Sequence, residues 1–172
     1  MRTLILNGTV VNADGRVDAD VSIENGRFQS IVPKSAGGIA PGPDDRIIDA
    51  MGCLVVPGGV DAHVHMQLDT GTMSSSDTFL SGTTAAAHGG TTTIIDFSEQ
   101  RAGGNVLQSF ENRLAEAEGQ CVVDWGLHQV LGGVDEQALI DTRSLIEREG
   151  VASIKLFMAY PGRLYSDDGQ LL

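Results

Sequence analysis

Basic residues are scarce in this 172-residue chain: 11 Lys and Arg stand against 23 Asp and Glu, for a formal net charge of −12. A nucleic-acid or anionic-membrane partner requires a basic face, so the balance argues against both and in favour of an acidic, solvated surface. Only two cysteines occur, Cys53 and Cys121, with no Cys-x-x-Cys spacing. Neither a disulfide framework nor a thiolate zinc site is suggested, and both are expected to be buried, reduced and structural. No apolar run is long enough to span a bilayer, and Met1 to Gly8 offers one basic residue and too short a hydrophobic stretch for a signal peptide. A cytoplasmic protein is expected. Aromatics make up only 5% of the chain, whereas glycine is plentiful at 22 residues, which points to short elements joined by tight turns.

With 41% hydrophobic residues the chain can bury the core of one domain or parts of two. Its pattern changes near residue 55. Before it, β-type segments fall at Thr3 to Asn7, Thr9 to Asn12, Ala19 to Glu24 and Arg27 to Ile31, the last two joined by the hairpin signal Asn25-Gly26. These predict a small antiparallel unit over residues 1–55. A Gly-, Pro- and Asp-rich loop, Pro33 to Asp45, and further pairing segments at Arg46 to Asp49 and Cys53 to Val56 complete it. From residue 56 to 172, strands and helices alternate with the period of βαβ units. Strands are predicted at Gly59 to His65, Thr91 to Phe97, Cys121 to Val130 and Ala152 to Ala159. Helices are predicted from a cap at Ser76 or Asp77 through His88, from Asn105 through Glu118, and from Asp135 through Glu149. A doubly wound sheet fits this local pattern, but candidate site residues at the C-terminal ends of two strands favour a barrel.

Those residues are His63 and His65 in Gly58-Gly59-Val60-Asp61-Ala62-His63-Val64-His65, and Lys155 in Ser153-Ile154-Lys155-Leu156-Phe157-Met158-Ala159-Tyr160. Residues two apart in a strand share a face, so both imidazoles of His-x-His are able to reach one metal ion. Asp61 lies on the same alternating face; it either holds a ligand imidazole from behind or caps the start of the strand. Lys155 sits in an apolar strand on the inward face with Ser153, Phe157 and Ala159, while Ile154, Leu156 and Met158 face the helices. An interior lysine is unfavourable unless paired or neutralised. It is either half of an ion pair, a Schiff-base nucleophile, or a lysine carbamylated by carbon dioxide, which would give an anionic ligand able to bridge two metals. The nearby His-x-His favours the bridge. Asp96, closing the second strand, either supports a loop at the mouth of the site or plays a helix-capping or structural role. His88 lies late in a helix and His128 among apolar neighbours, and neither replaces a missing ligand.

With the further segments Gly89-Gly90-Thr91-Thr92-Thr93-Ile94-Ile95-Asp96-Phe97 and Tyr160-Pro161-Gly162, the order and spacing of these motifs resemble the N-terminal portion of a cyclic amidohydrolase of the D-hydantoinase/dihydropyrimidinase group, over nearly the whole chain. The resemblance implies an α/β fold: the first half of a TIM-like (β/α)8 metal-dependent hydrolase barrel preceded by part of a small β-sandwich. It implies two Zn2+ ions or other divalent metals, with His63 and His65 on the more buried ion and carbamylated Lys155 bridging both. It also implies that Tyr160 donates a hydrogen bond to the substrate carbonyl as charge develops, and that Leu68, Phe157 and Leu164 line the substrate pocket. The substrate would be a small cyclic ureide opened to an N-carbamoyl amino acid, and the full-length parent a homotetramer. Dihydroorotases and allantoinases follow His-x-His closely with an arginine; here Met66-Gln67-Leu68-Asp69-Thr70 follows, which favours neutral ureides. Two further histidine ligands and a catalytic aspartate of the family fall at no position of this chain. A complete barrel needs eight strands and about 250 residues, so the chain is expected to be a truncated, inactive part of a longer enzyme. The non-enzyme alternative is a dihydropyrimidinase-related scaffold, against which the intact trio argues.

Overall fold

Strand β1 (Arg2–Asn12) is the spine of the N-terminal unit in the computed structural model, which describes residues 1–172. It pairs antiparallel with β2 (Gly15–Glu24), which pairs antiparallel with β3 (Arg27–Pro33) across the Asn25-Gly26 turn. Both turn residues adopt positive φ, 51° and 72°, the geometry of a tight hairpin whose twist matches its strands. The two segments expected on either side of Gly8 form one strand, interrupted by an irregularity between Ile5 and Gly8 where Asn7 also takes positive φ. The expectation of a purely antiparallel unit does not hold. Strands β4 (Arg46–Asp49) and β5 (Leu54–Val55) both lie parallel to β1, because the intervening loop carries the chain back along the sheet before it pairs. Within that loop, Lys34–Ala36 makes one 3-10 turn.

This unit buries Leu4, Val10, Ala19 and Val21. Asp20 is also fully buried, and it accepts hydrogen bonds from Lys34 Nζ and from the backbone N–H groups of Asn7 and Ile39. Burial pushes its carboxyl upward, but these donors outweigh that and hold it below the ordinary value. Phe28, Ile31, Ile47, Ile48 and Leu54 remain exposed. Cys53 is exposed as well, contrary to expectation, because it lies in the turn between β4 and β5; Cys121 is half-buried.

Met1–Pro57 and Gly58–Leu172 form two compact units. The second unit is a four-stranded parallel sheet in the order β6 (Gly59–Asp61), β7 (Thr91–Glu99), β8 (Asp124–Val130), β9 (Ile154–Lys155). Helices α1 (Phe79–His88), α2 (Val106–Ala117) and α3 (Glu136–Ser144) make the three crossovers. The strands follow chain order with no reversal, so no doubly wound switch point occurs. One face packs on helices: Ile94 meets Phe79 of α1, and Leu127 meets Val106 and Phe110 of α2. The other face carries Phe97, His128 and Lys155. The sheet is therefore curled and single-wound, as in part of a barrel.

Local capping signals place the helices. Asn105 and Asp135 cap α2 and α3 as expected, each accepting a hydrogen bond from the third helical N–H. For α1 the cap is Thr78 rather than Ser76 or Asp77; the Thr78 and Ser81 side chains each bond the other's backbone N–H, and Asp77 instead accepts from the Ser81 hydroxyl. The third helix relaxes after Ser144 into a π-helical turn, Leu145–Glu149, ended by Gly150 at φ 70°. No helix is long and apolar enough to cross a membrane. Replacing Asn105 with alanine should lower stability by about 1 kcal/mol, read as an earlier denaturant midpoint with unchanged slope.

Candidate metal centre

The irregular Pro-Gly-Gly segment delivers β6 to the sheet through a close approach: a Cβ on Gly58 would overlap the Thr92 side chain. Regular pairing of β6 ends at Asp61, earlier than the expected His65, and on the edge away from β7 the Asp61 carboxylate turns back to accept from the His63 backbone N–H at 3.1 Å. Asp61 thus caps the chain rather than gripping an imidazole. The run nevertheless stays beside β7, where the Val64 N–H donates to the Ile95 carbonyl. Alternation then carries His63 and His65 to one side, with ring centroids 5.2 Å apart.

Lys155 reaches the same place from β9, its Nζ 3.4 Å from His63 Nε2. The three side chains meet over Phe97. That ring lies 4.6 Å from the His63 centroid, stacks on His65 at 4.8 Å, and sits 4.1 Å beneath the Lys155 amine. Burial holds the His65 imidazole below its ordinary pKa, the neighbouring cations adding to the effect and Asp96 opposing it. Desolvation likewise depresses the Lys155 amine, against a weaker pull from Glu99. No carboxylate forms a salt bridge with Lys155, so an ion pair does not explain its position.

These residues suit a metal. Neutral imidazoles are the ligating form, and a neutral amine is the form that takes up carbon dioxide. No group of three His, Cys, Asp or Glu side chains gathers to hold an ion; the side chain that joins the two imidazoles is Lys155.

Regular pairing of β9 also ends early, at Lys155, because the chain turns at Tyr160, whose carbonyl accepts from the N–H groups of Arg163 and Leu164. Ile154 and Leu156 pack toward the helices, whereas Met158, expected beside them, is 67% exposed past the strand end. Tyr160 is 60% exposed at φ 64°, a sparsely populated conformation for a bulky residue, and its ring meets Phe157 edge-on at 5.5 Å. Phe157 flanks the Lys155 amine at 4.7 Å. Leu68 lines a cavity of about 400 Å3 with Phe97, Glu99 and Arg101. Leu164, only 3% exposed, packs against Phe97 and Phe157 and backs the wall instead of lining it. His88 is exposed at the end of α1.

Three features of the site were not read from sequence. Phe97 is the common floor under His63, His65 and Lys155. His128 lies beside it, 4.8 Å between centroids. Asp96 and Arg113 grip the residue after His65: Met66 donates its N–H to Asp96 Oδ2 at 2.7 Å, and its carbonyl accepts from Arg113 Nη2. Asp96 thus holds the segment after His65 and, through its buried ion pair with Arg113, also has the structural role considered for it.

Residues 54–156 match the amidohydrolase family. The chain belongs to that family. This amidohydrolase chain is 44% identical over 171 residues to a D-hydantoinase of Streptomyces coelicolor, covering 99% of the chain and 36% of the relative. It is 39% identical to a D-hydantoinase of Geobacillus stearothermophilus, covering 99% and 35%. Among solved structures, a D-hydantoinase superposes with TM-score 0.92 at 37% identity, over 99% of this chain and 36% of the other. A dihydropyrimidinase from Brevibacillus agri NCHU1002 gives 0.91 at 36%, with the same coverage. The chain thus spans about a third of the length of the relatives it matches.

Proposed function

We propose that this amidohydrolase chain is the metal-binding first part of a cyclic amidase that hydrolyses the ring amide of hydantoins or 5,6-dihydropyrimidines to N-carbamoyl amino acids. The observation that carries the reading is the convergence of His63, His65 and Lys155 over Phe97. In this proposal the four strands belong to a TIM-like barrel and the N-terminal sheet to a small β-sandwich. His63 and His65 would hold one zinc ion, and Lys155, carbamylated, would be a ligand shared with a second. When bound, the metals supply Lewis acidity toward water and toward the ring carbonyl.

The chain's own residues do the rest. Phe97 and Phe157 flank the Lys155 amine and partly desolvate it, which favours the uncharged form that reacts with carbon dioxide. Tyr160, held at the mouth by the turn through Arg163, would donate its phenolic hydrogen to the carbonyl oxygen as negative charge develops. Leu68 and Phe157 offer apolar contact to a ring substituent, with Leu164 behind them. No cation follows His-x-His to bind a substrate carboxylate, which supports a neutral cyclic ureide. A homotetrameric cytoplasmic parent is part of the same proposal.

The test is the full-length protein, purified with zinc and assayed on dihydrouracil beside a 5-substituted hydantoin. Ring opening of at least one is expected, with about two metals per chain. Absence of both activities and of bound metal would move the reading to a scaffold protein. The 172 residues alone should show no turnover even with added zinc, since the ligand set they hold is incomplete.

A further inference from the structure

We infer that His128 is a positioning residue, a cross-brace that sets the span between His63 and Lys155. The inference rests on the metal reading above. His128 stands on β8, yet its Nε2 lies 2.9 Å from the carbonyl oxygen of Ala62, two strands away in the sheet order. Its Nδ1 meets the hydroxyl of Ser153, the residue just before β9. A carbonyl oxygen only accepts, so Nε2 must carry hydrogen. In the neutral ring Nδ1 is then the acceptor, and Ser153 donates to it.

The two contacts fall at informative places. Ala62 immediately precedes His63, and Ser153 shares the inward face of Lys155 two residues before it. Regular pairing covers only Gly59–Asp61 of β6 and Ile154–Lys155 of β9. The ladder holds each ligand-bearing end only to its own neighbour, Val64 to Ile95 and Lys155 to Leu131, and β6 and β9 are not hydrogen-bonded to each other. The imidazole of His128, packed against Phe97 with its own ring, ties both to one rigid body. Holding a ligand in place through a hydrogen-bonded neighbour is worth about 10- to 100-fold in metal affinity where it has been measured.

The experiment titrates zinc into the full-length protein and compares wild type with His128→Phe, His128→Gln and Ser153→Ala. The phenyl ring keeps the packing on Phe97 and removes both polar contacts. His128→Phe is expected to weaken zinc binding about 10- to 100-fold and to alter the visible spectrum of the cobalt-loaded protein. His128→Gln should recover part of the affinity through its amide. Ser153→Ala removes one hydroxyl and decides the matter should the phenylalanine variant fail to fold; a loss of several-fold is expected. Long-range proton–nitrogen NMR of the wild type should show His128 with hydrogen on Nε2. Zinc affinity and cobalt spectrum unchanged in the folded variants would overturn the brace, as would hydrogen on Nδ1 alone. Failure of the wild type itself to bind zinc would instead bring down the metal reading, and this inference with it.

Discussion

Replacing Lys155 with alanine in the full-length protein is expected to reduce bound zinc from two ions per chain to at most one and to lower turnover by about three orders of magnitude. The size follows from the role. A metal pair supplies several kcal/mol of transition-state charge stabilisation, and each 1.36 kcal/mol is tenfold in rate. The structure narrows what else Lys155 might be. No carboxylate pairs with it, its amine is held below the ordinary value by desolvation, and His63 Nε2 lies 3.4 Å away.

The readouts separate the remaining roles. A carbamate is a carboxylate in shape and charge, so a small added carboxylic acid should restore part of the activity to the alanine variant. Labelled bicarbonate should give the wild type a carbamate carbon resonance that the variant lacks. A Schiff-base lysine predicts neither result; it predicts a borohydride-trapped adduct with substrate. Full zinc content in the variant would refute the bridge.

How much of this was legible depends on the range of the interaction. The Asn25-Gly26 hairpin and the caps Asn105 and Asp135 are signals confined to a few residues, and they were read correctly. Side-chain alternation is also local, and it placed Lys155 on one face with Ser153 and Phe157, where they lie. The ends of elements were harder. Pairing in β6 stops at Asp61 and in β9 at Lys155, and hydrophobic pattern encodes neither end. The parallel pairing of β4 with β1 joins residues more than forty apart in sequence and depends on the path of a loop. In sequence His128 is one residue among apolar neighbours; its partners, Ala62 and Ser153, adjoin two other strands and only the fold brings them to it. Phe97 was passed over for the same reason: nothing in a strand sequence says which aromatic will be the floor of a site.

The least legible pair carries the second large prediction. Asp96 is 0% exposed, and Arg113, on α2, donates to it from 2.7 Å with a side chain that is itself 11% exposed. The Arg113 guanidinium also lies 4.5 Å from the centroid of Phe79, and its Nε has no partner. Between them the two side chains satisfy both backbone polar groups of Met66, which adjoins His65 and would otherwise leave the sheet unrestrained. Removing one member of a buried pair strands the other charge, at a cost of about 3–5 kcal/mol. Arg113→Met in the full-length protein should therefore lower the guanidinium unfolding free energy by that amount, leaving Asp96 as the orphan. Asp96→Ala should cost less, because Arg113 keeps the Glu116 carboxylate at 2.6 Å. The double variant is expected to lose clearly less than the sum of the two, because the apolar replacement leaves no charge uncompensated. Near-additive losses would mean that the two residues act separately. A change below about 1 kcal/mol in either single variant would show that the segment after His65 is held by something other than this pair. The coupling matters for the site because the order of the loop and the placing of His65 share one support: a variant that remains folded at lower temperature should bind zinc more weakly as well, and affinity indistinguishable from wild type would confine the pair to stability alone.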